Sequence, residues 1–439
     1  MTVSPFVRVV VINYDGGEVT LRCLEALLKT DWDSDRLEIV VVDNASIDGL
    51  DWKIPKIYPN IRLIKSLTNE GFARGNNLAM TNLLGVDYVA LINNDTIPDK
   101  NWLREQFEVI STDEKIGAVG SKLLFNKYVI GVELDSFGKF ACLTDVRING
   151  VKSLHLIKFD DRFDKSGAGA NSPTPQYWFT QSCSFWIESA ERFGDKPVIE
   201  IELMANDPVE LQLRTDTHRQ TLVVTKQPQR FTISSSNVGR VINNAGEGMF
   251  AGMHGGDIGF KELDLGQRET NTEVFGFCGG AVLLRTEFLH DVGLFDSSFF
   301  LYYEDVDLAW RGRLRGWKFW YAPKSIVVHE HSYSSKAGSP FVHFWADRNR
   351  RLTLVKNGTK SMACKAIAGA IVWAARDAFI TPLRQILRFR SPNLRASVYR
   401  LRQLGSLLKA VPTAIKSRRQ IEKRKIVDRD FIFDWISTR

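Results

Sequence analysis

From Val7 to about Phe125 the chain alternates short β-branched apolar runs with stretches of helical periodicity. The segments VRVVVINY, LEIVVVDN, IRLIKSL, VDYVALINND and IGAVGSKLLF have the length and side-chain type of strands. TLRCLEALLKT, the NEGFARGNNLAMTNLL region and WLREQFEVIST place apolar residues on one face of a helix between those strands. Strand, helix, strand in repetition predicts a mostly parallel sheet covered on both faces. Between about Asn126 and Gly252 the helical period fades. PVIEIELMA, VELQLRT, TLVVTK and RFTISSS alternate at period two, which predicts half-buried antiparallel strands in an inserted sandwich-like domain closed by the glycine-rich NNAGEGMFAGMHGGDIGF. The α/β texture returns at GFCGGAVLLR, and from about Phe341 the chain is helical and basic.

These textures divide the 439 residues into four parts: 1–125, an insert 126–252, a resumed α/β part 253–340, and a helical region 341–439. Apolar content of 44% and charged content of 25% are those of a folded globular protein. The net charge of +7 is concentrated: residues 381–425 hold thirteen Lys or Arg and one acid, Glu422, interleaved with Leu, Ile and Val. That pattern predicts amphipathic helices suited to an anionic membrane surface, and no nucleic-acid motif accompanies it. The apolar run from Ala363 is broken by Lys365, Arg376 and Asp377, so a membrane-spanning helix is not expected from it. Five single cysteines, at 23, 142, 183, 278 and 364, form neither a zinc pattern nor a disulfide framework, and the N-terminal segment lacks a secretion signal. Both point to the cytoplasm.

Ligands of parallel α/β sheets bind beyond the carboxyl ends of the strands, and there this sequence collects polar residues: Asn13-Tyr14-Asp15, Asp43-Asn44 and Asn93-Asn94-Asp95. Asp43 and Asn44 suit either an Asx turn or contact with a ribose or base. In NEGFARGNN the glycines allow close backbone approach, and Arg74 is of the type that meets phosphate. No Walker lysine and no G-x-G-x-x-G fingerprint is present, which argues against a P-loop or nicotinamide enzyme. Asp95 ends an apolar strand and is a natural ligand for a hard cation that bridges phosphates. Finally, FFLYYEDVDLAW sets Glu304, Asp305 and Asp307 in an apolar, aromatic run, where carboxylates are costly unless they are paired, bind metal, act as bases or complement a helix start.

In this order, VVINYDGG, VVVDNASIDG, NEGFARGNN, LINNDTIP, GFCGGAVLLR and FFLYYEDVDLAWRGRLRGWKFWYAPKSIVVHEHS resemble the family 2 glycosyltransferases of the GT-A fold, with rhamnosyltransferase-like and galactofuranosyltransferase-like bacterial members the most similar. The resemblance spans about residues 7–125 and 250–350. It implies an inverting, metal-dependent transfer from a UDP- or dTDP-sugar to a glycan acceptor, lipid-linked, in bacterial cell-surface polysaccharide synthesis at the inner face of the membrane. Asn13, Asp43, Asn44, Asn69, Gly71, Arg74 and Asn94 would form the nucleotide-sugar pocket. Asp95 and His329 would hold Mg²⁺ or Mn²⁺. Asp305 would be the base, with Glu304 orienting it or contacting the acceptor, and Asp307 a first-turn helix carboxylate. Asn93 stands where the family's D-x-D motif has its first aspartate, which removes one charge from the metal site. His331 shares a strand face with His329, and spacing does not separate them. A competing reading is a glycan-binding scaffold that uses the β insert.

Overall fold

The computed structural model describes residues 4–159, 176–188, 197–215, 218–234, 239–330, 339–389, 391 and 394–437. The chain forms two compact units. The first comprises residues 1–122, 244–258 and 270–439; the second comprises 123–243 and 259–269.

In the first unit, β1 (Val7–Asn13), β2 (Leu37–Asp43), β3 (Arg62–Lys65) and β4 (Tyr88–Asn93) are parallel in the order β3-β2-β1-β4. The antiparallel strand Ala281–Arg285 lies beside β4, and the beginning of β6 (Ile116–Asp135) lies beyond it. A short β5 (Thr96–Pro98) pairs with the strand Lys318–His329. Val9, Val10, Val11, Val40, Val41, Val42 and Leu91 are fully covered or nearly so, because helices flank the sheet on both faces. Those helices are α1 (Glu18–Leu27), α2 (Leu50–Ile57), α3 (Gly71–Met80), α4 (Trp102–Ile110), α5 (Thr286–Val292) and α6 (Glu304–Leu314). The mixed sheet flanked by helices, the inserted strands and the C-terminal helices agree with the architecture expected from the sequence.

Alternation dictates the second unit. In Val198–Met204, Ile199, Ile201 and Leu203 are buried while their neighbours are less covered, as a half-buried antiparallel strand requires. One sheet has the order Tyr177–Phe179, Ala141–Ile148, Val198–Met204, Gln229–Ser234. Another joins Arg219–Val224 and Val209–Arg214 to the later residues of β6, which also pair with Cys183–Glu188. Their apolar faces share one core that includes Val132, Leu134, Leu143, Phe185, Ile201, Leu211 and Ile233. The glycine-rich loop read as closing this insert is divided: residues 244–258 cluster with the first unit, where Glu247–Phe250 and His254–Asp257 form a hairpin.

The basic region is α7 (Pro340–Asn357), α8 (Lys360–Ala375), α9 (Thr381–Leu387) and α10 (Leu394–Arg424). α8 runs on through a wider turn at Arg376–Ile380 into α9, so Lys360–Leu387 is one 28-residue helix, long and apolar enough to cross a membrane by length and composition. Two of the three charges expected to interrupt it, Arg376 and Asp377, are accommodated, and Lys365 is exposed. Asp377 pairs with Arg376 and with Arg400 of α10, and the Arg376 guanidinium lies 4.0 Å from the Trp373 ring centroid.

Candidate active site

The parallel register sets Asn13 beside Asp43, and Ile12 beside Asn93, so the polar strand ends form one edge. Asn13 is fully buried and serves as a hub: its Nδ2 donates to Asp43, to Ser46 at 2.9 Å and to Asp48 at 3.1 Å. Its Oδ1 accepts from Gly16 N and from Thr20 Oγ1 at 2.8 Å. Asn94 joins this network through Thr20 at 2.8 Å. Asn13 therefore fixes the loops at the strand ends, while Asp43 keeps Oδ2 without a hydrogen bond among the described residues. Asp48, unremarked within DNASIDG, accepts from the backbone N–H groups of Gly17 and Leu50, and these with Asn13 outweigh its partial burial to hold its carboxyl below the usual range.

Asn44 Nδ2 donates to Asn69 Oδ1 at 3.0 Å and to Gly71 O, and its Oδ1 accepts from Glu70 N at 2.8 Å. It ties the NEG loop to the sheet edge. Gly71 has φ +71°, and a Cβ there would stand 2.1 Å from the Phe300 carbonyl oxygen. Its close approach is thus to backbone of the Phe299–Asp305 segment, which also accepts a hydrogen bond from Phe72 N at 2.8 Å. Arg74 is exposed and paired with Glu70 at 3.0 Å.

Asp95 and His329, both under a tenth exposed, meet at 3.0 Å between Oδ1 and Nε2, because His329 lies opposite Thr96 in the β5 pairing. One carboxylate oxygen and one imidazole nitrogen form a donor pair that suits a divalent cation such as Mn²⁺. No group of three or more His, Cys, Asp or Glu arranged for a metal occurs among the described residues, so a cation here would draw its other ligands from water or substrate. His331 lies outside the described residues.

The Glu304-Asp305 pair opens α6 after two consecutive residues in left-handed conformation, Tyr302 (φ 68°) and Tyr303 (φ 70°). Such strain costs about 1–3 kcal/mol per residue and persists only where the surroundings enforce it. Here Asn349 of α7 donates to the carbonyls of Leu301 (3.0 Å) and Tyr302 (2.9 Å), and Arg348 to that of Ser298 (2.8 Å). Asp305 is half-buried and accepts from Val306 N at 2.8 Å and Gly279 N at 3.3 Å. Gly280 in turn accepts from Asn93 N at 3.0 Å, so Asp305 and Asp95 belong to the same sheet edge. Burial raises the Asp305 carboxyl above its ordinary value, against the opposing backbone hydrogen bonds. Glu304 is buried, and its carboxyl is pushed well up by desolvation and by the Asp305 charge.

Asp307 occupies the first turn of α6 as expected, and it is also wholly buried, bonded to Arg311 (2.9 Å), Lys356 (2.8 Å) and Asn357 (2.9 Å). Of the aromatics, Phe299 is core, whereas Phe300 packs on Phe341 and Trp345. Burial and nearby acids push the Cys278 thiol far up, in keeping with a packing residue.

Residues 8–134 match one family model, Glycosyl transferase family 2. The fold is the GT-A fold. A curated relative, Glycosyltransferase AglE of Haloferax volcanii, is 23% identical over 197 residues, covering 43% of this chain and 62% of that protein's length. Two solved structures align more loosely. GalNAc-T7 with UDP, GalNAc and Mn²⁺ gives a TM-score of 0.47 at 12% identity over 94% of this chain and 57% of that one. The mannosyltransferase PcManGT from Pyrobaculum calidifontis with GDP-Man and Mn²⁺ gives 0.40 at 13% identity, over 94% and 90%. Likeness this loose adds no weight to the GT-A assignment, which rests on the family match together with the parallel β3-β2-β1-β4 order.

Proposed function

We propose that this protein transfers a sugar from a nucleotide-diphosphate donor to a hydroxyl of a glycan acceptor, with Asp305 as general base. The observation that carries the reading is Asp305 itself: a half-buried carboxylate fixed by two backbone N–H groups at the sheet edge that also bears Asp95. Asp43 Oδ2 faces the nucleoside, and Asn13, Asn44, Asn69, Gly71 and Asn94 keep the pocket in shape. Arg74 reaches the diphosphate by exchanging Glu70 for it. Asp95 and His329 hold a divalent cation, Mn²⁺ or Mg²⁺, whose chemistry is to neutralise charge on the departing diphosphate. Asp305 takes the proton of the acceptor hydroxyl as that oxygen attacks the anomeric carbon. A single base opposite the leaving group gives one displacement and inversion. A UDP- or dTDP-sugar, a rhamnosyl- or galactofuranosyl-type product and a lipid-linked acceptor in cell-surface polysaccharide synthesis are the finer parts of this reading, supported by motif resemblance.

We read the basic helices as a seat on an anionic membrane surface, which would place the enzyme at the inner face of the cell membrane. Val372, Trp373, Phe379, Leu383 and Leu387 are exposed along one continuous helix, and Arg384, Arg388, Arg395 and Arg402 flank them or follow on α10. Exposed apolar area beside cations is the composition that lies in a headgroup layer.

The test of the chemistry is transfer from UDP- and dTDP-sugars to lipid-linked glycan acceptors by wild type and Asp305→Asn. The reading expects a loss of about 10²–10⁴-fold in kcat in the variant with donor binding retained. Equal rates in the two proteins would remove Asp305 as the base.

A further inference from the structure

Three acids, Glu247, Asp257 and Glu304, gather around the proposed base. Glu247 begins the strand Glu247–Phe250 and stands directly across the hairpin from Asp257, an arrangement in which like charges repel. Its backbone is clamped to Gly276 by hydrogen bonds in both directions, at 3.2 and 3.1 Å, and its strand is flanked on the other side by Ile436–Ser437. A Cβ on Gly276 would lie 3.3 Å from Glu247 Oε2, so glycine there leaves room for the carboxyl. The side chain is 5% exposed, and no N–H or O–H donor of the described residues reaches Oε2. An ionised carboxylate so placed has lost its water at Oε2 and gained no donor there. A neutral one has a proton to give, and a hydrogen bond joins the Glu247 and Asp305 side chains.

We propose that Glu247 is a positioning residue: it stays a neutral acid and donates a hydrogen bond to the Asp305 carboxylate, which holds that carboxylate ionised and turned toward the acceptor hydroxyl. This rests on the reading of Asp305 as base. The groups facing the pair are Asp257 on the hairpin, Glu304 and Tyr303 at the start of α6, and Cys278 beside Gly279; Arg350 of α7 acts on Tyr303. The charged groups acting on Glu247 are thus acids, and burial together with them drives its carboxyl well above the ordinary range. Asp305 receives the opposite influence from the same bond, which favours its ionised form along with the N–H groups of Val306 and Gly279. In the transfer step the acceptor O–H breaks, its proton goes to Asp305, the new bond to the anomeric carbon forms and the bond to the diphosphate breaks. The proton of Glu247 stays where it is.

The experiment compares kcat/KM against pH for wild type, Glu247→Gln and Glu247→Ala, with thermal melting to establish that each is folded. Gln keeps a donor without an ionisable proton; Ala removes it. Glu247→Ala is expected to lose on the order of 10-fold or more in kcat, the scale on which outer partners of reacting groups act, with KM for the donor little changed. Its acid limb moves to higher pH, because a carboxylate that loses a donor binds its proton more tightly. Glu247→Gln is expected to recover most of the lost rate and return the limb toward wild type. Equal impairment of Gln and Ala, or an acid limb unmoved in Ala, overturns the proposal. Infrared difference spectra give a readout that does not need turnover: with Glu304 contributing its own band, wild type and Asp305→Asn show a protonated-carboxyl C=O component that is missing from Glu247→Gln. Loss of that component in Gln, in a protein whose Asp305→Asn variant is as active as wild type, would retire the base assignment while leaving Glu247 neutral. Absence of that component in wild type would retire the neutral Glu247.

Discussion

Asp305, the proposed base, and Asp307 are two residues apart on one helix and have opposite surroundings. Asp305 meets backbone N–H groups and acids and forms no ion pair among the described residues. Asp307 meets two cations and an amide, and Lys356 also bonds Asp296, whose carboxyl is held at about 2 by that ammonium in spite of its burial. Asp307→Ala would leave Lys356 and Arg311 sharing a buried site with one acid fewer, at a cost of roughly 3–5 kcal/mol. Chemical denaturation is expected to show that loss in Asp307→Ala and little change in Asp305→Asn; similar stabilities for the two variants would contradict the division. In the sequence the two aspartates differ only in that Asp307 has Arg311 four residues on, since its other partners, Lys356 and Asn357, lie on α7. The placement of Asp43, Asp95 and His329 at strand ends is legible because each follows or ends an apolar run. Glu247 is not legible: glycines surround it, and only the hairpin's return to the first unit sets it against Asp305.

Among the elements, α7 controls the strained entry to α6. Tyr302 and Tyr303 hold left-handed conformations that bulky residues avoid, and Asn349 caps both Leu301 and Tyr302 carbonyls. Asn349→Ala is expected to speed amide exchange across residues 299–305 and to lower kcat more than it raises KM, since the base is displaced while the nucleotide pocket on β1, β2 and α3 is untouched. Unchanged exchange in that segment would show that the strain is held by other contacts. The alternation of strands and helices through residue 125 is readable because period two and period 3.6 differ plainly there. The left-handed tyrosines are not, because nothing in FFLYYED distinguishes a turn imposed by a neighbouring helix from a strand. Lys360–Leu387 shows the same limit from the other side: Asp377, which breaks the apolar run in sequence, is paired with Arg400 once α10 folds against it.

At the scale of the molecule, the division into an α/β unit and a β unit follows the change in hydrophobic period, but the path of residues 244–258 follows from packing, with Met249 joining Phe275, Trp310 and Ile432 in one core. The exposed apolar row and its arginines predict binding to vesicles containing anionic lipid, weakened by salt and by replacing Arg384, Arg388, Arg395 and Arg402 with Glu; equal binding to neutral vesicles would contradict the electrostatic part. The central claim, however, is that the edge bearing Asn13, Asp43, Asp95 and His329 receives a nucleotide-diphosphate sugar with a cation. Calorimetric titration of the purified protein with UDP, dTDP and GDP, with and without Mn²⁺, repeated on Asp95→Ala, tests it most directly. Mn²⁺-dependent binding of one pyrimidine diphosphate, lost in Asp95→Ala, is expected. Binding of none of the three, or binding indifferent to both Mn²⁺ and Asp95, would contradict it.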